Sequence, residues 1–136
     1  MTPDDTVTEW PAVTLSEQQG VRYLHLGDTP WVQGAMALRA PRTLVLEYVQ
    51  RMMAWMLWRD RADVARGHAV QFGLGAGSIT RFCHQVLRMD QVTAVELNPG
   101  VIAAGHHAFR LPADDRRLTV VQADAGAWAA DAAHAG

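Results

Sequence analysis

Three glycines and one glutamate are the first residues in the chain whose spacing suggests chemistry. Gly73, Gly75 and Gly77 alternate with Leu74 and Ala76 directly after an apolar run, Val70-Gln71-Phe72. Glu96 follows 19 residues after Gly77, at the end of a second apolar run, Thr93-Ala94-Val95. A glycine has no Cβ and takes tight-turn dihedrals, so Gly73 and Gly75 let a ligand come up against the backbone. Gly77 permits close packing where a helix begins, and a helix start presents free N–H groups. An ionised carboxylate only accepts hydrogen bonds, which suits Glu96 at a strand tip to a pair of ribose hydroxyls. Strand, glycine turn, helix and a second strand ending in an acid make up a βαβ unit that holds a nucleoside. The same letters also fit a plain turn followed by a strand that ends on a solvated glutamate.

These residues need elements to position them. The pattern predicts strand one over 69–74, a helix over 78–87 and strand two over 92–97. Asn98-Pro99-Gly100 opens a further helix to about Phe109, with Asn98 as N-cap and Pro99 at the first position. Strand three is expected over 118–122, and 127–133 is alanine-rich and helix-prone. Short right-handed crossovers make these strands parallel in the order 3-2-1, half of a doubly wound sheet. Upstream, Val21 to Leu26 alternates as a strand, Gly27-Asp28-Thr29-Pro30 turns, and 31–38 returns, which predicts a hairpin. From Val45 to Trp58 apolar residues recur at helical spacing. Tyr48, Met52, Trp55 and Trp58 widen that surface, as expected of a core helix covered on most sides, or of a subunit contact. Arg59 to Asp63 reads as a solvated charge run, and Arg66-Gly67 as a helix end. The expected organisation is α/β: a flexible leader over 1–20, hairpin and helix over 21–66, and the first half of a Rossmann-like nucleoside-binding domain over 67–136.

Composition narrows the function. The chain has 136 residues, 49% hydrophobic and 19% charged, which is one folded domain and not a disordered segment. A net charge of −2 provides no basic field, so no nucleic-acid partner is expected. Cys83 is the single cysteine, which excludes an internal disulfide and a cysteine zinc site; its helical context predicts a buried thiol. The start carries Asp4, Asp5 and Glu9 with no signal-peptide core, and no apolar run reaches spanning length, so a cytoplasmic protein without membrane contact is expected.

The stretch from 27 to 36 (Gly-Asp-Thr-Pro-Trp-Val-Gln-Gly-Ala-Met), the 44–58 helix, the glycine loop and Val95-Glu96-Leu97-Asn98-Pro99-Gly100-Val101-Ile102 together resemble the spermidine synthase-like family. These are the polyamine aminopropyltransferases and their divergent bacterial relatives, which share the class I methyltransferase fold. The resemblance covers about 20–125. It implies a fold truncated after strand three and a reaction that moves the aminopropyl group of decarboxylated S-adenosylmethionine to an amine such as putrescine. It further implies that Gln33 reaches the thioether end of the nucleoside and that Tyr48 lines the amine channel. The glycine loop (Gly73, Gly75, Ala76, Gly77) would pass the sulfonium portion. Glu96 with neighbouring Leu97 would hold the ribose, and Asp124 with Ala125 the adenine. Three departures stand beside it. Ala76 replaces the loop acid of active synthases, Gln71 replaces the acid that methyltransferases carry before the first glycine, and Val49-Gln50 replaces the polar and acidic pair after the tyrosine. The family's base follows strand four, beyond this chain's last strand, so no catalytic residue is assigned here. Expected ligands are decarboxylated S-adenosylmethionine or S-adenosylmethionine, with a polyamine as acceptor. Alternatives are an S-adenosylmethionine-dependent methyltransferase and a non-catalytic binding or assembly module. A nicotinamide enzyme fits less well, because Ser78 stands where GxGxxG has its last glycine.

Smaller groupings read as structural. His106 and His107 are adjacent on a helix, point about 100° apart and make a poor chelate, so no metal site is expected. His68 and His84 read as surface or loosely packed, and Asp114-Asp115 as a solvated turn. Asp28 reads as a turn residue or a neighbour of the amine. In the 3-2-1 order strand one is an apolar edge, which invites pairing with another chain, so a homo-oligomer or a longer polypeptide is expected.

Overall fold

Two three-stranded sheets joined by short helices make up the computed structural model, which describes residues 9–131. The first sheet is antiparallel, with β1 (Val13–Gln18), β2 (Val21–Leu26) and β3 (Gly34–Ala37) in that spatial order. Its first strand falls inside the segment expected as a flexible leader, which corrects that reading over 13–18. Gln18 pairs with Val21 across a turn whose central residues, Gln19 (φ 51°) and Gly20 (φ 76°), are both left-handed. That twist matches paired strands and closes a tight hairpin. Five of the six β1 residues are exposed, so the strand is held by its ladder and shows little apolar periodicity to read. The expected β2–β3 hairpin is present, but Trp31, Val32 and Gln33 belong to its loop. The first 8 residues of the leader, and 132–133 of the helix-prone tail, lie outside the described residues.

Between the sheets the single helix expected over 45–58 is broken. It becomes α1 (Glu47–Met52), a 3₁₀ turn (Ala54–Trp58) and α2 (Arg61–Ala65), so the charge run at 59–63 supplies the start of a helix. Met53, at φ −92° and ψ 5°, marks the break. Short turns bury one stripe only. Val49 and Met53 are buried, while Leu57 and Trp58 are 82% and 80% exposed, so this segment is not the enclosed core helix the sequence suggested.

The second sheet is parallel, in the order β4 (His68–Phe72), β5 (Gln91–Glu96), β6 (Leu118–Gln122), as the crossover argument required. After β4 come α3 (Ser78–Arg81) and a π-helical turn (Phe82–Val86); after β5, α4 (Pro99–Ala108); after β6, α5 (Ala125–Ala130). Asn98 caps α4, its Oδ1 accepting from the Gly100 N–H at 2.8 Å. One core cluster joins Leu24 and Met36 of the first sheet to Leu74, Ala94, Val101 and Phe109, so the two sheets share a hydrophobic interior. A second gathers Met53, Val64, Cys83, Met89, Val92 and Leu118 under α1 and α2. Cys83 is buried as expected, and burial pushes its thiol up to about 11. His84 is not at the surface. It is buried, with Nε2 2.9 Å from Asp115 Oδ2, because the turn at 114–118 folds back over the π-helical segment. None of the helices among the described residues is long and apolar enough to cross a membrane.

Candidate functional site

The glycine loop is built from backbone. Gly73, Gly75 and Gly77 have φ of 83°, 55° and 72°, values that strain any residue with a Cβ. The Gly73 N–H donates to the Val95 carbonyl at 2.8 Å, which ties the loop to the tip of β5. A Cβ on Gly73 would point into open space, so bare backbone faces outward there. On its other flank the loop is clamped by the first sheet. A Cβ on Gly34 would lie 2.5 Å from the Ala76 nitrogen, and Ser78 Oγ donates to the Ala35 carbonyl at 3.0 Å. Ala76 is consequently enclosed.

Arg81 is the hidden strut of this arrangement. It is 1% exposed, yet no carboxylate pairs with it among the described residues. Nη1 donates to the carbonyls of Ala76 and Phe109, and Nε donates to that of Pro41 at 3.0 Å. One guanidinium thus ties together the loop, the end of α4 and the segment before α1. Burial lowers its pKa to about 10, which still leaves it charged at neutral pH. The only sequence signal was a charge set among Ile79, Phe82 and Cys83.

Glu96 ends β5 beside the loop. Its Oε1 accepts from the Leu74 N–H at 3.1 Å and its Oε2 from the Asn98 N–H at 3.0 Å. Two backbone donors fix the carboxylate plane, and a carboxylate has about four acceptor directions, so roughly two remain. Next to it lies a cleft of about 260 Å³. The structure brings Gln33, Tyr48, Gly73, Gly75, Ala76 and Glu96 together on its wall, and adds Gln71 and Ser78. The Tyr48 hydroxyl lies 3.4 Å from the Gln33 carbonyl, which itself packs against Gly75 of the loop, and partial burial raises the Tyr48 pKa.

Four expected residues are not on that wall. Gly77 packs inward against Arg81 and Leu111, and Leu97 projects beyond the strand end, 43% exposed. Asp124 caps α5, its Oδ1 accepting from the Ala127 N–H at 2.8 Å, and Ala125 begins that helix. Gln71, visible in the sequence only as a departure from a pattern, turns out to line the cleft, with Oε1 accepting from Thr80 Oγ1 at 2.5 Å. A larger groove of about 710 Å³ runs along the β4 edge between Trp55, Arg59, Val70 and Phe72. Glu96 does not reach it.

No protein-family model matches the chain. Among curated proteins it is 39% identical over 115 residues to the polyamine aminopropyltransferase of Neisseria meningitidis serogroup A, which covers 85% of this chain and 42% of that protein. It is also 39% identical over 118 residues to the polyamine aminopropyltransferase of Chromobacterium violaceum, covering 87% and 43%. The chain therefore spans about two-fifths of the length of the curated relatives it matches. In fold it is similar to the crystal structure of a probable spermidine synthase from Corynebacterium glutamicum, with a TM-score of 0.72 at 19% identity, covering 89% of this chain and 44% of that one. The half-sheet, the glycine loop against it and the long sequence match agree: the chain belongs to the spermidine synthase-like family of polyamine aminopropyltransferases.

Proposed function

We propose that the chain binds an S-adenosylmethionine-type nucleoside at the glycine loop, in a protein whose ancestral reaction is aminopropyl transfer to a polyamine. The observation that carries this is Glu96, held flat by two backbone donors at the mouth of the cleft where Gln33, Tyr48, Gly73 and Gly75 converge. The remaining acceptor directions of its carboxylate suit the two hydroxyls of a ribose. The outward backbone of Gly73 suits close passage of the nucleoside's 5′ side, where a Cβ would intrude. Gln33 and Tyr48 line the same cleft, and an amine would approach past them. Decarboxylated S-adenosylmethionine, when bound, supplies the activated carbon beside its sulfonium. The chain's residues supply alignment, which is most of what such a displacement asks of a protein.

Removing the ammonium proton of the acceptor needs a base. Glu96 is the only carboxylate on the cleft wall among the described residues, and the ribose role occupies it. We therefore read this chain alone as a binding unit that does not turn over. Calorimetric titration with methylthioadenosine, S-adenosylmethionine and decarboxylated S-adenosylmethionine tests the reading, repeated on Glu96→Ala. Binding of at least one nucleoside that weakens about tenfold in the variant, worth about 1.4 kcal/mol, is expected. Unchanged affinity in Glu96→Ala would remove the ribose assignment. Among the ligands, a preference for S-adenosylmethionine would favour a methyltransferase.

A further inference from the structure

Strand β4 has a neighbouring strand on one side only among the described residues. Gln91 N–H donates to the Gly67 carbonyl and Gly73 N–H to that of Val95. Between these two bonds the parallel register runs unbroken from His68 opposite Gln91 to Phe72 opposite Val95. In a parallel ladder alternate residues turn their N–H and C=O to the partner strand, so Gly67, Ala69, Gln71 and Gly73 face β5. His68, Val70 and Phe72 turn theirs away from it. All three residues are exposed, and these backbone groups have no hydrogen-bond partner among the described residues.

Edge strands are ordinarily kept apart by a charged side chain, a proline or a bulge. The stretch His68-Ala69-Val70-Gln71-Phe72 has no lysine, arginine, acid or proline, and its register has no bulge. Met52 and Trp55 line the groove beside it, 56% and 38% exposed. With Val70 and Phe72 they leave roughly 350 Å² of apolar side chain in water per copy, which with the edge backbone reaches the low end of specific interfaces.

We propose that the β4 edge pairs with the β4 edge of a second copy of this chain, antiparallel, about a two-fold axis through Val70. The outward triplet is self-complementary in that register. Val70 meets Val70 of the second copy, and His68 and Phe72 meet that copy's Phe72 and His68. Each is a hydrogen-bonded pair that exchanges both of its bonds, so every outward N–H and C=O of the three residues finds a partner. A slip of two residues leaves one of the three unmatched. The axis stands normal to the sheet, which keeps the faces of the two copies in common. Met52 and Trp55 of both copies then flank the seam on the same face, and β6-β5-β4 continues into a single sheet. Phe72 also lines the loop cleft, so the second copy borders that cleft. The modest area predicts reversible, micromolar pairing. The seam forms whether or not the cleft holds a nucleoside.

Sedimentation equilibrium on the full chain tests this, for the native protein, Val70→Lys, Val70→Glu and an equal mixture of the two variants. The native chain is expected to be in monomer–dimer equilibrium. Each variant alone sets like charges directly opposite at the axis and should weaken pairing about tenfold or more. The mixture sets lysine opposite glutamate and should recover the dimer, less so as salt is raised. Hydrogen exchange on the native chain needs no substitution: the amides of His68, Val70 and Phe72 should slow as concentration rises. A native chain that stays monomeric up to its solubility limit overturns the proposal. So does a dimer indifferent to either charge, a mixture no better paired than its components, or exchange at these three amides that ignores concentration.

Discussion

Strand β4 borders two regions of opposite character. At its carboxyl end the chain enters the glycine loop, where most polar groups are paired, though Arg81 Nη2 is buried without a partner among the described residues. Gly73 N–H meets the Val95 carbonyl, Glu96 meets two N–H groups, and Arg81 gathers three carbonyls. Along its side β4 is the edge of the sheet, and Val70 and Phe72 are 38% and 53% exposed beside Trp55 and Met52. Phe72 has an aromatic neighbour in Trp128, edge to face at 5.9 Å. The first region is over-determined by hydrogen bonds and close backbone contacts. The second is held by little besides its own ladder to β5. A site that must present fixed dipoles needs the first kind of construction, while an apolar edge is the kind of surface that another strand can cover.

Substitutions should separate the two regions sharply. Arg81→Met leaves the Ala76, Phe109 and Pro41 carbonyls short of a donor in a dry interior, so a loss of about 3 kcal/mol or more is expected, read as a drop in denaturant midpoint. Gly34→Ala forces a Cβ against the Ala76 backbone, which side-chain adjustment cannot relieve, and should cost about 1–3 kcal/mol by the same measurement. A fully stable Gly34→Ala would mean that the first sheet does not clamp the loop. Glu96→Ala should weaken nucleoside binding as described above, about tenfold, and so test the site and not the fold.

Weaker effects are expected away from the loop. Hydrogen bonds from the Arg117 N–H first, then from the Leu118 N–H and from His84, outweigh partial desolvation and hold the Asp115 carboxyl at about 2. Its folded value lies below the ordinary value of about 3.9, so the stability it contributes is present above that value and is lost as the pH falls through about 2. Denaturant midpoints for native and Asp115→Asn chains at pH 5, 3 and 2 should converge toward the lowest pH. Trp58→Ser, at a residue 80% exposed, should shift stability by no more than about 0.5 kcal/mol. Sedimentation checks the expected self-association at the β4 edge, and a stable monomer over a wide concentration range would remove that expectation.

Much of the half-sheet was legible from residue types alone. The βαβ pattern around Gly73 to Glu96, the parallel order and the Asn98 cap depend on local rules: apolar runs, glycine dihedrals, Pro99 at a helix start. Such features need only neighbours a few residues apart, and a linear pattern records them. Strand β1 escaped because five of its six residues are exposed and its partner is backbone, which no periodicity reports. The helix at 45–58 was misjudged because apolarity on every face says nothing about which faces have anything to pack against.

The site divides the same way. Gly73, Gly75, Glu96, Gln33 and Tyr48 stand out by type and spacing together with the family resemblance, and the fold brings them to one cleft. Asp124 was placed by the same reasoning, yet its carboxylate caps a helix, because the nearest free donor is the Ala127 N–H three residues on. Gln71 and Arg81 have partners that no local pattern announces: Thr80 on the following helix for the first, Pro41 and Phe109 far along the chain for the second. Sequence alone determines which groups can take tight turns, accept or donate. Which of those capacities are used up inside the protein, and which are left facing the cleft, is decided only when distant segments meet, since a donor or acceptor is free or engaged by virtue of what packs against it.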